Sequence, residues 1–225
     1  QLPSDWDNTK HNVVIFTSSE DEFVSIGDMW INKLYKSQLE GIVRIASDLE
    51  ASCCEAFVTV RMHPNQRRLA GGETLAIRKL QSPNVRVIPP ESTVDSYALI
   101  DNASVVVTFG STVGVESVFW NTPAVLLGPS FYQNLGAAHD AKTHEDGLDA
   151  IMKPVLGDRQ MALAYGFWAN TRGQPYKHFE ATGFFEGIFR GEKLDVKLTI
   201  PTYQRLLYSA IKRIRIICEK VLFWL

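Results

Sequence analysis

Five short apolar runs, rich in β-branched residues, punctuate the chain: Val13-Val14-Ile15-Phe16, 56–60, Val85-Arg86-Val87-Ile88, 104–108 and 124–127. Three of them are almost unbroken apolar, the pattern of strands covered on both faces. The stretches between them carry helical periodicity, over 29–51, 72–80, 94–102 and 112–120. In the first, Trp30, Leu34, Leu39, Ile42, Val43, Ala46 and Leu49 recur at close to 3.6-residue spacing. Strand followed by helix, four times over, predicts right-handed βαβ units and a parallel sheet. The expected fold class is therefore α/β, a Rossmann-like three-layer α/β/α sandwich of five or six parallel strands. Further helices are predicted over 145–152 and 157–170. The stretch 171–193, rich in glycine and aromatics, reads mostly as loop. A last helix is expected from Thr202, just after Pro201, towards the end. The expected division is a Rossmann-like domain over 1–155 and a helical C-terminal extension over 156–225.

Composition narrows this picture a little. Of 225 residues, 45% are hydrophobic and 21% charged, ordinary values for a globular chain with a sizeable core. A net charge of -2 argues against general nucleic-acid binding. Three cysteines, two of them the adjacent Cys53 and Cys54, make neither a disulfide framework nor a metal-ligand spacing, so a reducing, cytoplasmic setting is expected. No run approaches the ~20 apolar residues of a membrane-spanning helix.

In a parallel sheet, ligands sit beyond the carboxyl ends of the strands, so the loops there are where chemistry is expected. After the fourth strand comes Phe109-Gly110-Ser111-Thr112-Val113-Gly114-Val115-Glu116. Gly110 permits a tight turn, Ser111 or Thr112 can cap the next helix, and amides and hydroxyls at a helix start suit a phosphate. Glu116, one turn further, can accept from ribose hydroxyls; it can equally be a solvated glutamate behind an ordinary cap. After the second strand, Arg61-Met62-His63-Pro64-Asn65 sets a histidine at the rim. There it can bind a phosphate or protonate a leaving group, or simply satisfy a nearby carbonyl. Arg61 adds positive charge or pairs with an acid. After the third strand, Pro89-Pro90-Glu91-Ser92-Thr93 forms a stiff loop of a kind that can cup a base, with Tyr97 beyond it as easily core as site. After the first, Thr17-Ser18-Ser19-Glu20-Asp21-Glu22 brings hydroxyls and acids to the same edge, and Gly128-Pro129-Ser130-Phe131-Tyr132 follows the fifth.

The order Arg61-x-His63-Pro64-Asn65, then the run from Asn84 to Gly128, resembles the C-terminal domain of the GT-B glycosyltransferases that build capsules and other surface polysaccharides. It also resembles the non-hydrolysing UDP-N-acetylglucosamine 2-epimerases. The likeness spans about residues 12–150, and the opening from Phe16 to Phe23 is similar to the capsule-type proteins. It implies half of a GT-B fold that takes a nucleotide-sugar donor (CMP-, UDP- or GDP-linked). His63 would lie against the donor phosphates or the leaving-group oxygen as the candidate catalytic residue. Gly110, Ser111 and Thr112 would hold phosphate, Glu116 the ribose, Pro90 and Ser92 the base; Ser18, Ser19 and Arg61 complete the binding set. Where the epimerases carry Asp-Ser-Gly-Gly, this chain has Phe109-Gly110-Ser111-Thr112, which favours transfer over epimerisation. In GT-B enzymes a preceding Rossmann-like half binds the acceptor and supplies the catalytic base; these 225 residues do not contain it, and catalysis is expected to depend on it.

The expected function is glycosyl transfer to a growing surface or capsular polysaccharide or glycolipid, with no metal and no cofactor. Two rivals stand beside it: a nucleotide-sugar epimerase or hydrolase, and a non-catalytic binding module of a polysaccharide assembly complex. A kinase or ATPase reading is disfavoured, because no Gly-x-x-x-x-Gly-Lys-Ser/Thr is present. Residues 202–225 interleave Arg205, Lys212, Arg213, Arg215 and Lys220 with Leu206, Ile211, Ile214, Val221 and Trp224. Such a basic amphipathic helix suits the inner face of a plasma membrane, or packing on another domain.

Overall fold

The computed structural model describes residues 1–19, 27, 30–52, 55–68, 72–173, 176–182 and 186–195. Glu20, Asp21, Glu22, Cys53, Cys54, the expected helix start at Met29 and the whole of 202–225 lie outside the described residues. The chain divides into two compact units, Gln1–Arg172 and Gly173–Leu225.

The first unit begins with β1 (His11–Phe16), α1 (Gln38–Ala51) and β2 (Ala56–Arg61). A 3-10 turn (Pro64–Arg68) leads to α2 (Gly72–Arg78), β3 (Val85–Ile88) and α3 (Ser96–Asn102). Then follow β4 (Val105–Thr108), α4 (Val113–Phe119), β5 (Ala124–Leu126) and β6 (His139–Asp140). Two helices, α5 (His144–Met152) and α6 (Arg159–Thr171), close the unit. The six strands form one parallel sheet in the order β3-β2-β1-β4-β5-β6, the doubly wound arrangement that reverses direction between β1 and β4.

The strands are covered on both faces, as their unbroken apolar runs predict. Val13 and Ile15 pack on one side with Ile42, Ile45 and Leu49 of α1 and Ile151 of α5. Val14 and Phe16 point the other way, into a cluster with Leu99 and Ile100 of α3. On that second face Ala124 and Leu126 meet Val115 and Val118 of α4 and Ala162 and Tyr165 of α6. The sandwich therefore has three layers, and α6 belongs to it; the first unit ends at Arg172, not at 155, because α6 packs against α4.

The first helix is shorter than its periodicity predicts. It starts at Gln38, because Ser37 adopts an extended conformation and caps Glu40 N–H, while the Glu40 carboxylate accepts from Lys36 N–H at 2.8 Å. Trp30 is buried ahead of α1, outside any α-helix, its ring edge-on to Phe131 at 4.6 Å.

A polar chain, buried at Tyr35 and His144 and open to solvent at Asp48, ties α1 to α5. The Tyr35 hydroxyl lies 2.7 Å from His144 Nδ1, and His144 Nε2 lies 2.7 Å from Asp48 Oδ2. Desolvation pushes the Tyr35 hydroxyl up to about 12, so it stays a protonated donor to the ring. Replacing the imidazole by a methyl leaves that hydroxyl buried without an acceptor and opens a cavity. His144→Ala is expected to cost about 2–4 kcal/mol, measured as a fall in the urea midpoint at constant slope; an unchanged midpoint would mean the chain contributes nothing.

In the second unit the described residues include three strands that begin within the stretch 171–193, which the sequence reads as mostly loop. β7 (Phe179–Ala181), β8 (Glu186–Phe189) and β9 (Glu192–Asp195) form an antiparallel meander. The β8–β9 connection is the two-residue turn Arg190-Gly191, with φ of 52° and 86°. Positive φ at both positions is the hairpin geometry whose twist matches the strands.

Candidate functional site

Strand register brings the rim together. Phe16 pairs with Arg61 on one side and Thr108 on the other, Arg61 with Ile88, and Thr108 with Leu126. The carboxyl ends of five strands thus lie in one row, and the segments that follow them share one edge. The sheet's reversal falls between β1 and β4, where the loops turn to opposite faces and leave a crevice.

That crevice is occupied by a cleft of about 230 Å³. Arg61 and His63 line it from β2, Ser111, Thr112 and Glu116 from the β4–α4 segment, and Tyr97 from α3. Five of the sequence-predicted site residues are therefore brought together: Arg61, His63, Ser111, Thr112 and Glu116. Gly110 makes the turn beside them, at φ 132°, a backbone region that favours glycine.

His63 is held by its backbone. Its N–H donates to Thr17 Oγ1 and to Gln66 Oε1, both at 3.0 Å, and Thr17 Oγ1 donates to the same Gln66 oxygen at 2.8 Å. Its Nδ1 accepts from Asn65 N–H at 3.2 Å. The neutral ring consequently carries its proton on Nε2, a donor for a ligand oxygen. Thr17, whose hydroxyl the sequence puts at this edge, serves by holding His63, and Gln66 is a site-building residue that sequence reading missed: a buried glutamine three residues past a histidine carries no motif.

Arg61 is a buried cation, 7% exposed. One terminal nitrogen donates to Pro89 O at 2.7 Å and the other to Ser92 O at 3.4 Å, while Nε has no partner among the described residues. No carboxylate pairs with it among those residues. Burial lowers its pKa from the ordinary value. Of the two roles open in the sequence, added charge or acid pairing, the described residues show no acid pairing, and the guanidinium adds positive charge to the wall of the cleft.

The β4–α4 segment differs in detail from expectation. Thr112 occupies the position before α4 in a helical conformation and makes no capping bond; its hydroxyl donates instead to Glu116 Oε1 at 2.9 Å. Ser111 Oγ accepts from Val113 N–H at 3.3 Å, and the Ser111 carbonyl accepts from the Tyr132 hydroxyl at 2.7 Å. Among the described residues the N–H groups of Gly110, Ser111 and Thr112 donate to no acceptor. Glu116 Oε2 accepts from the Tyr97 hydroxyl at 3.1 Å, and the carboxylate's charge holds that hydroxyl's pKa above its usual value. Tyr97 is thus exposed and part of the site, not core. Both carboxylate oxygens already accept from hydroxyls, the same donors a ribose diol presents.

The remaining candidates do not reach the cleft. Ser18 is buried; its N–H donates to Gln38 Oε1 at 2.7 Å, its carbonyl accepts from Gln38 and Gln66, and its hydroxyl has no partner among the described residues. Ser19 is fully buried. Pro90 is buried as well, and Ser92 is engaged by Arg61 through its carbonyl and by Val94 N–H through its hydroxyl. The expected base-holding loop after β3 is therefore packed against Arg61 and does not border the cleft. The chain's Asp5-Trp6-Asp7, an acid-x-acid pattern of the metal-binding sort, lies ahead of β1, away from the rim. Asp5 is 2.7 Å from Arg86 of β3, and Asp7 accepts from Thr9.

No protein-family model matches the chain, and no curated protein matches it by sequence. It is similar in structure to the β-Kdo 2,7 transferase of Thermosulfurimonas dismutans KpsC: 21% identical, over 73% of this chain and 47% of that one, with a TM-score of 0.45. It is similar also to the β-Kdo 2,4 transferase of the same protein: 15% identical, over 65% and 43%, with a TM-score of 0.43. The third is the Methanocaldococcus jannaschii UDP-GlcNAc 2-epimerase in complex with UDP-GlcNAc and UDP: 14% identical, over 72% and 46%, with a TM-score of 0.44. The chain spans less than half the length of each of these three. At such scores the likenesses carry no functional weight, which rests on the rim residues themselves.

Proposed function

We propose that this chain is the donor-binding half of a GT-B glycosyltransferase, holding the nucleotide of an activated sugar while the sugar passes to a surface or capsular polysaccharide or glycolipid. One observation carries the reading: a cleft at the sheet's reversal point combines a buried cation and the Ser111 and Thr112 amides, none of them paired with an acid or acceptor among the described residues save the arginine's two carbonyls, with a histidine Nε2–H donor and a carboxylate facing hydroxyls. The positive end suits phosphate oxygens and the carboxylate suits a sugar diol. In this reading an acceptor hydroxyl attacks the anomeric carbon, the bond from that carbon to the phosphate oxygen breaks, and the electron pair stays on the phosphate. Arg61, His63 and the amides at 110–112 stabilise that growing charge. The acceptor's proton goes to a base on the acceptor side, which the reading puts outside these residues. A cytoplasmic position at the membrane, reached through 202–225, belongs to the same proposal.

A thermal-shift panel of CMP, UDP, GDP and TDP tests it. At 100 times its Kd a ligand stabilises by about 2.7 kcal/mol, or a rise of roughly 5–10 °C for a chain of this size. One nucleotide is expected to give such a rise, and His63→Ala or Glu116→Ala to remove most of it. A flat panel would sink the reading. Turnover of a UDP-sugar without acceptor would favour the epimerase rival, and binding without turnover even in the full-length protein the non-catalytic one.

A further inference from the structure

The rim cleft adjoins a second, larger space. A groove of about 680 Å³ runs between α4 and α6, bordered by Val115, Phe119, Trp120 and Phe167. Tyr97, Thr112 and Glu116 border both spaces. The chemistry changes in order along the pair. At one end are Arg61, His63 and the amides at 110–112. The Glu116 carboxylate, with a hydroxyl on each oxygen, stands in the middle. The rings of Tyr97 and Trp120 lie beyond it, edge to face at 6.2 Å. Trp120 is one helical turn past Glu116, its N–H bonded to the Glu116 carbonyl, and about half its surface is exposed.

We infer that the heteroaromatic base of the nucleotide lies in this groove, against Trp120 and Tyr97, and not on the loop after β3. The inference rests on the proposed donor-binding role and deepens it. Volume is the first reason: ligand pockets run from about 300 to 1,000 Å³, so a 230 Å³ cleft holds a phosphate-sized group and the groove supplies the rest. Order is the second, since anion site, hydroxyl acceptor and aromatic surface follow one another as phosphate, ribose and base do in a nucleoside phosphate. The third is that the alternative seat is closed: Pro90 is buried, and the Ser92 carbonyl and hydroxyl are already engaged. Every base has a π face, so stacking on Trp120 adds affinity to whichever base the site selects.

Isothermal titration of the full chain with CMP, UMP and GMP, each beside ribose 5-phosphate, tests the placement in wild-type protein and in Trp120→Ala, Trp120→Phe and Ser92→Ala. The best-bound nucleotide's advantage over ribose 5-phosphate is expected to fall about tenfold in Trp120→Ala, the scale of one lost stacking partner. Trp120→Phe should keep most of the advantage and Ser92→Ala all of it. An advantage undiminished in Trp120→Ala, or lost in Ser92→Ala, overturns the placement. Nucleotide binding that needs His63 but ignores Trp120 removes only the base placement and leaves the donor site standing. If neither nucleotides nor ribose 5-phosphate bind the wild-type chain, the donor-site reading fails, and this inference with it.

Discussion

Arg61→Met is expected to leave the unliganded protein about as stable as wild type and to weaken nucleotide binding by about two orders of magnitude. The two halves of that result have separate causes. Holding a guanidinium in the interior costs several kcal/mol of desolvation, and among the described residues no carboxylate offsets it. What the cation returns is two hydrogen bonds to carbonyls, worth about 1.5–3 kcal/mol each at most, and the one to Ser92 is long at 3.4 Å. Pro89 O keeps a bond from Ser92 N–H when the arginine is gone. Methionine fills similar volume with no charge to desolvate, so the net change in folding free energy should lie within about 1 kcal/mol of zero. Binding has no such compensation, because an anion loses a buried cation; a charge-assisted contact in a desolvated site is worth about 2–3 kcal/mol, the hundredfold expected. Urea unfolding measures the first quantity and titration with the best nucleotide of the panel the second. Unaltered affinity would show that Arg61 is a brace for the β3 loop and nothing more.

Gly114→Ala should be among the damaging single methyls of the first unit, and the one that bears on the site. A Cβ on Gly114 would collide with the Tyr132 hydroxyl and lie 3.1 Å from Thr108 Oγ1. That hydroxyl is the centre of a buried hub: it donates to the Ser111 carbonyl at 2.7 Å and shares a hydrogen bond with Thr108 Oγ1 at 3.1 Å. Its ring is 1% exposed and packs edge-to-face on Tyr165 at 5.6 Å. Desolvation raises the Tyr132 pKa well above its usual value, which keeps the group a donor. Overpacking costs about 1–3 kcal/mol and a broken buried hydrogen bond about 1–3 more, against roughly 1 kcal/mol gained in helix propensity. A net loss of about 3 kcal/mol is expected, a large share of the 5–15 kcal/mol typical of a domain. The double variant with Tyr132→Phe separates this account from a general helix effect. Removing the hydroxyl removes the collision, so the pair should be at least about 1 kcal/mol less damaged than the two single losses added. Simple additivity would show that the methyl acts elsewhere. Because the Ser111 carbonyl is part of the hub, Gly114→Ala should also shift the 110–112 segment and lower nucleotide affinity.

Much of the frame was legible in advance. The β-branched runs at 13–16, 56–60, 85–88, 104–108 and 124–127 were all strands, within a residue or two, because a strand covered on both faces needs apolar side chains at every position. His63, Ser111, Thr112 and Glu116 could be named because each follows a strand end, and a parallel sheet gathers strand ends at one edge. The misses have physical causes. Trp30 and Leu34 fit a helical period by chance of spacing, while the Ser37–Glu40 cap decides where α1 begins. β6 is two residues, His139 and Asp140, with no apolar signature of its own; it exists because β5 offers it an edge. The β7–β9 meander hid in a glycine-rich stretch whose hairpin turn, Arg190-Gly191, lacks the familiar asparagine.

By itself, then, the sequence determined the alternation of strands and helices, the parallel sheet, and the set of loops that must share its rim, since hydrophobic periodicity and chain direction are local properties. Only the tertiary structure decided what each rim residue faces. Ser18 and Ser19 turned into the interior, and Pro90 and Ser92 packed around Arg61. Arg61 met carbonyls in place of an acid, and Tyr97 came from another helix to share Glu116 with Thr112. Those partners lie tens of residues apart along the chain, and their approach follows from how helices pack on the sheet. No spacing in the sequence encodes that packing.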